Sequence, residues 1–174
     1  MATSNRESAD RKSRGSKGKT SALTLLEADH LLVAGLFEEY ENSKDDEALK
    51  TEFAKQICRA LTIHGTIEEE IFYPAAAEAL EDDEEVEEAI DQAETDHGGI
   101  DDLVAEIEEA LGNGEVDDDL DERLKGLSEL VQQHVEEEEA ALFPAVKKAG
   151  LDLNELGEEL RQRKEELQAE LGDD

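Results

Sequence analysis

The sequence predicts an all-α fold, an up-down-up-down four-helix bundle followed by a C-terminal amphipathic helix. Three observations point there. Apolar residues recur at alternating three- and four-residue steps through most of the 174-residue chain. Ala, Leu and Glu abound, while the chain has only 2 prolines and 3% aromatic residues, a composition that favours helices over sheets. A motif also occurs twice: His64 is followed by Glu68 and then Phe-Tyr-Pro74, and His134 by Glu138 and then Leu-Phe-Pro144. On a helix, positions i and i+4 share a face, so each copy aims an imidazole and a carboxylate at one point.

Each element is justified in turn. Residues 1–20 are rich in Ser, Arg, Lys and Gly without an apolar pattern, and are expected to be a disordered basic tail. The bundle is expected over 21–149. Its first helix carries Leu23, Leu26, His30, Val33, Phe37 and Tyr40 on one seam. After the polar turn Asn42 to Asp46, the second carries Phe53, Ile57, Ala60, His64, Glu68 and Ile71, and Pro74 should kink or end it. Asp82 and Asp83 open a third helix with Val86, Ile90, Ala93, His97, Ile100, Val104, Ile107 and Leu111, closed by Gly112-Asn-Gly114. Asp117 to Asp119 introduce the fourth, with Leu120, Leu124, Leu127, Val131, His134, Glu138 and Ala141 in line. Over 150–174, Asp152-Leu-Asn-Glu155 resembles a capping box ahead of a helix with Leu156, Leu160, Leu167 and Leu171. Short polar connections make sequential helices antiparallel neighbours around a common core.

All 4 histidines fall on seams, one per bundle helix. A lone histidine on an apolar stripe is ordinarily a hydrogen-bonded core residue. Four on four seams, with Glu68 and Glu138 at matched places, instead describe a pseudo-twofold metal site built by two related hairpins. Buried ionised carboxylates cost several kcal/mol unless a cation compensates them, so a metal explains why both acids sit there. Four imidazoles and two carboxylates exceed what one tetrahedral zinc needs and suit two ions bridged by Glu68 and Glu138. Mixed nitrogen and oxygen donors suit iron or manganese, and zinc, which stands above iron in the divalent series, is not ruled out by affinity. The His-x-x-x-Glu order differs from the Glu-x-x-His spacing of ferritin-like bundles. Glu139 and Asp101 are held as candidates for an extra ligand. Glu69, Asp29 and Asp96 are read as solvated, and Cys58 and Tyr73 as packing residues.

With 50 Asp+Glu against 17 Lys+Arg, the net charge is −33. The first 20 residues hold six basic and two acidic side chains, or +4, so the remaining 154 carry 11 − 48 = −37. A main body this acidic disfavours nucleic acid and anionic lipid as partners. No apolar run is long enough to span a membrane. The single cysteine excludes an intrachain disulfide, and no basic-then-apolar leader is visible, so the cytoplasm is the expected compartment.

The order Asp-His, His-x-x-x-Glu-Glu, Asp-His, His-x-x-x-Glu-Glu, with the Phe-Tyr-Pro and Leu-Phe-Pro endings, resembles the hemerythrin-like, HHE cation-binding family over about residues 21–170. That resemblance implies a non-haem di-iron centre with His30, His64, His97 and His134 as terminal ligands and Glu68 and Glu138 as bridges. Oxygen-carrying hemerythrins have a further histidine one turn after the third-helix ligand, where this chain has Asp101. They also place the fourth-helix bridge five residues after the histidine, at Glu139 here; the HHE branch uses Glu138. The resemblance implies a module that binds or senses O2 or NO, or handles iron. One alternative is a di-iron oxidoreductase that decomposes hydrogen peroxide. A second is an acidic helical interaction domain with a structural metal clamp.

Overall fold

The computed structural model describes residues 20–43 and 46–172. The disorder expected of the basic tail concerns residues that, Thr20 apart, lie outside that range. The described residues form five rods. The first is α1 (Ala22–Asn42). The second is α2 (Glu47–Ile67), which runs through a π-turn at Glu68–Phe72 into α3 (Tyr73–Ala79). The third is α4 (Glu84–Asn113). The fourth is α5 (Asp118–Glu137), continuing through a second π-turn at Glu138–Leu142 into α6 (Phe143–Ala149), and the fifth is α7 (Leu153–Glu170). No described helix is long and apolar enough to cross a membrane.

The helix starts are chemically marked. Asp46, Asp83, Asp117 and Asp152 each accept hydrogen bonds from backbone N–H groups of the first turn that would otherwise lack a partner. Gly114 closes α4 in the left-handed conformation, with φ 76°, where a side chain would clash.

Of the two outcomes expected at Pro74, a kink or an end, the end does not occur, because the helix continues through it. A proline has no N–H to donate, and its ring collides with the carbonyl four residues back. The chain avoids the collision by widening one turn, so that Tyr73 N–H donates to Glu68 O, five residues earlier. Pro144 is accommodated in the same way, with Phe143 N–H donating to Glu138 O. The extra residue in each turn moves the buried stripe. Phe72 and Tyr73 are buried where Ile71 was expected, and Leu142 and Phe143 are buried while Ala141 is exposed.

The core is divided along the bundle axis. One apolar cluster contains Leu26, Ile67, Phe72, Ala93, Leu142 and Leu160. The other contains Val33, Ile57, Leu61, Ile100, Ile107 and Val131. On every bundle helix the seam histidine stands between a member of each cluster. His30 follows Leu26 and precedes Val33; His97 follows Ala93 and precedes Ile100. A polar layer therefore crosses the middle of the bundle.

The fifth rod docks along α1 and α2. Leu156, Leu160 and Leu167 join the first apolar cluster, whereas Leu171, expected on the same seam, lies past the end of α7 and is 46% exposed. Gly157 permits the approach, because a Cβ there would lie 2.2 Å from Thr20 O and 2.7 Å from Ala22 N. Arg163 Nε donates to Glu70 at 2.7 Å, Arg59 reaches the Gln168 carbonyl at 2.8 Å, and Lys164 pairs with Asp29.

Candidate metal centre

The six side chains singled out from the sequence meet in the polar layer, and all are buried. His30 Nε2 and His64 Nε2 lie 3.1 Å apart, and His97 Nε2 and His134 Nε2 3.3 Å apart. Glu68 Oε2 stands between the pairs, 3.2 Å from His64 Nε2 and 3.3 Å from His97 Nε2. Glu138 Oε2 lies 3.4 Å from His30 Nε2. Two triads result, His30-His64-Glu68 and Glu68-His97-His134, each with its donor atoms within 4.8 Å of one another. Glu68 is common to both.

The outer nitrogens of the rings complete the pattern. His30 Nδ1 lies 2.8 Å from Glu139 Oε1, and His97 Nδ1 lies 2.9 Å from Glu69 Oε1. His64 Nδ1 faces Asp29 Oδ2 at 3.7 Å, and His134 Nδ1 faces Asp96 Oδ2 at 3.9 Å. The Glu139 and Glu69 contacts favour the proton on Nδ1 of His30 and His97, while the Asp29 and Asp96 oxygens face their rings from beyond hydrogen-bond distance. The Nε2 atoms of each pair face one another at close range. A cation held by both nitrogens of a pair satisfies both lone pairs at once.

Unpaired atoms locate the same demand. Glu68 Oε1 and both Glu138 carboxylate oxygens are buried without a hydrogen bond. Burial and the neighbouring Glu138 push the Glu68 carboxyl well above the ordinary carboxylate range. At His134, burial lowers the imidazole to about 3, and His64 is also lowered by burial, so both rings are neutral at neutral pH. Burial also acts to lower His30, but the Glu138 and Glu139 carboxylates outweigh it and raise this ring. Neutral imidazoles beside carboxylates that need a positive partner fit a divalent metal.

Five residues contact the site in ways their sequence positions did not indicate. Asp29 and Asp96, expected in solvent, are each 7% exposed and face a histidine of the adjoining helix. The available signal was the Asp-His pair repeated in α1 and α4. Glu69, also expected in solvent, and Glu139, held as a candidate ligand, each bond an outer ring nitrogen. Tyr73, read as packing, is fully buried, with its hydroxyl donating to Glu68 Oε2 at 3.3 Å and 3.4 Å from His97 Nε2. Asp101 is exposed and belongs to neither triad; it lines a cavity of about 110 Å3 bounded by His64, Thr66, Glu69, His97 and His134. Cys58 is a packing residue as expected, its thiol pushed up to about 12 by burial.

A helical bundle whose interior donors are imidazoles and carboxylates in two hairpin-related sets belongs to the class of metal-binding bundle proteins. The comparisons narrow that class. Residues 21–146 match the family described as the hemerythrin HHE cation-binding domain, and the chain belongs to that family. A crystal structure of a hemerythrin HHE cation-binding domain-containing protein from Mycobacterium kansasii shares the fold. Its TM-score is 0.66 at 23% identity, covering 87% of this chain and 89% of that one. Among curated proteins, a DNA nickase of Nostoc sp. (strain PCC 7120) is 26% identical over 150 residues. The match takes in 85% of this chain but only 40% of that protein's length.

Proposed function

We propose that this protein holds two non-haem iron ions in the polar layer and uses them to bind or sense O2 or NO, or to handle iron. His30 and His64 would hold one ion and His97 and His134 the other, with Glu68 and Glu138 shared. The observation that carries this reading is the pair of facing Nε2 contacts beside buried carboxylate oxygens that lack hydrogen bonds. Iron supplies a one-electron couple and a coordination position open to a small ligand. The chain's own residues do the rest. Asp29, Glu69, Asp96 and Glu139 orient the rings from outside, and the two apolar clusters exclude water from both ends. A cavity of about 110 Å3 against the histidines has room for a diatomic molecule or peroxide.

Peroxide decomposition is the second reading, favoured by the Tyr73 hydroxyl, which donates a hydrogen bond to Glu68 beside His97 and can orient a small polar ligand there. DNA nicking is named for the Nostoc protein, of which this chain spans 40%, and the acidic body disfavours holding a polyanion. The buried Cys58 and the acidic surface are consistent with a cytoplasmic protein.

Metal analysis of protein purified without added metal tests the centre. Two irons per chain are expected, and His64→Ala or His134→Ala should abolish that stoichiometry; full iron in both variants would contradict the assignment. Spectral change on adding O2 or NO without turnover supports the binding reading, and sustained O2 evolution from hydrogen peroxide supports the second. No response to any of the three leaves iron as a structural clamp and overturns both.

A further inference from the structure

The two halves of the metal layer share one plan and differ in detail: Tyr73 sets a hydroxyl beside His97 where Phe143 stacks on His30, and the aspartates behind His64 and His134 have unlike partners. In the first half, Asp29 presents Oδ2 to His64 Nδ1 at 3.7 Å, while its Oδ1 is paired with the Lys164 ammonium. In the second, Asp96 presents Oδ2 to His134 Nδ1 at 3.9 Å, and its Oδ1 accepts from Gln92 Nε2 at 2.8 Å. One relay thus ends in a cation and its mate in a neutral amide. The two donors also come from different places. Gln92 sits one turn before Asp96 on α4, whereas Lys164 arrives from α7, outside the duplicated hairpins.

We infer that Lys164, reaching Asp29 from the C-terminal helix, is a positioning residue that makes the two metal positions unequal, weakening divalent-cation binding at the His30-His64 position relative to the His97-His134 position. This rests on the two-ion reading above. A carboxylate behind a ligand histidine raises the basicity of the inner nitrogen. An ammonium on that carboxylate withdraws part of its negative charge, so the ring donates less to the ion. The ammonium's own field acts in the same direction, and a mostly buried site screens it poorly. A neutral amide on Asp96 fixes orientation without either effect. The added helix supplies a difference on the aspartate side of the layer, separate from the Tyr73 hydroxyl that the hairpins themselves place beside His97.

Docking of α7 is what delivers the charge. Leu160 is fully buried one turn before Lys164, Arg163 pairs with Glu70 beside the first π-turn, and Arg59 holds the Gln168 carbonyl one turn further on. The ammonium is therefore placed by a packed element and not by a loose surface side chain.

The test is calorimetric titration of the full-length, metal-stripped protein with Co2+, a redox-stable probe whose d–d absorption also reports each site. Wild type should take two ions with separable constants. In Lys164→Gln one constant should tighten about fivefold while the other stays within error, and Lys164→Arg should restore the original spacing. Gln92→Lys, which leaves α7 untouched, should weaken the other constant by a similar factor and so decides the matter even if the Lys164 variants undock the helix. Loss of α7 packing alone would move both constants together or neither, and either result in Lys164→Gln, with no selective change in Gln92→Lys, overturns the inference. Fewer than two Co2+ bound by wild type is a different failure, because it sinks the two-ion reading and this inference with it.

Discussion

His134 shows how one side chain ties the site to pH. Burial holds its imidazole at about 3, against an ordinary value of 6.5. Between those values the unfolded chain binds a proton that the folded chain does not, so this residue's share of stability is intact above pH 6.5 and is lost as pH falls. The slope for one such group approaches about 1 kcal/mol per pH unit. In metal-free protein, urea unfolding from about pH 7 to about pH 5 should therefore show a steeper loss for wild type than for His134→Gln; parallel curves would remove His134 as the cause. The seam period located the six inner donors because each is a core position in an ordinary helix. It could not locate Asp29, Asp96 or Glu69, since neighbouring residues on a helix point about 100° apart and one beside a seam is normally solvated. Asp29 and Asp96 turn inward to face a ring on a different helix, while Glu69 stays exposed, as expected, and meets His97 at the rim, a tertiary relation that one helix's periodicity does not contain.

Among the elements, the π-turns begin at the glutamates of the layer, Glu68 and Glu138, and reset the stripe that follows them. Past each one the core positions fall to Phe72 and Tyr73, and to Leu142 and Phe143. Proline was visible in the sequence, but its consequence was not. Read locally it predicts a kink or an end, and only packing on both sides makes widening the cheaper outcome. The docking of α7 was equally hidden, because an amphipathic pattern shows that a helix has a buried face and not what it lies against. Gly157 now identifies the contact. A methyl group in Gly157→Ala would meet the Thr20 carbonyl at 2.2 Å, so backbone has to move. Loss of about 1–3 kcal/mol is expected, with faster hydrogen exchange in α7 and in the first turn of α1 but not in α5. Unchanged exchange in α7 would show that the helix yields without cost.

For the molecule as a whole, the bundle and its antiparallel order were legible because connections are short and each helix has one seam. The division of the core was legible only in outline, since the histidines sit between apolar residues but their joint placement at one level needs coordinates. That division has a thermodynamic meaning. Phe72, Leu142 and the α7 leucines form one oily plug, Ile57, Ile107 and Leu127 form another, and between them lies a belt of ionisable groups, several of whose buried oxygens lack a hydrogen bond. Cations bound in the belt, as proposed above, would rivet the plugs into one cooperative unit. Stripped by a chelator, the protein should melt in a broadened or two-stage calorimetric transition, the plugs letting go separately; a single sharp peak at the original temperature would mean that the continuous helices alone transmit the coupling. A cell that starves this chain of metal would then meet a half-loosened molecule, open to proteases at its waist before either end has come apart.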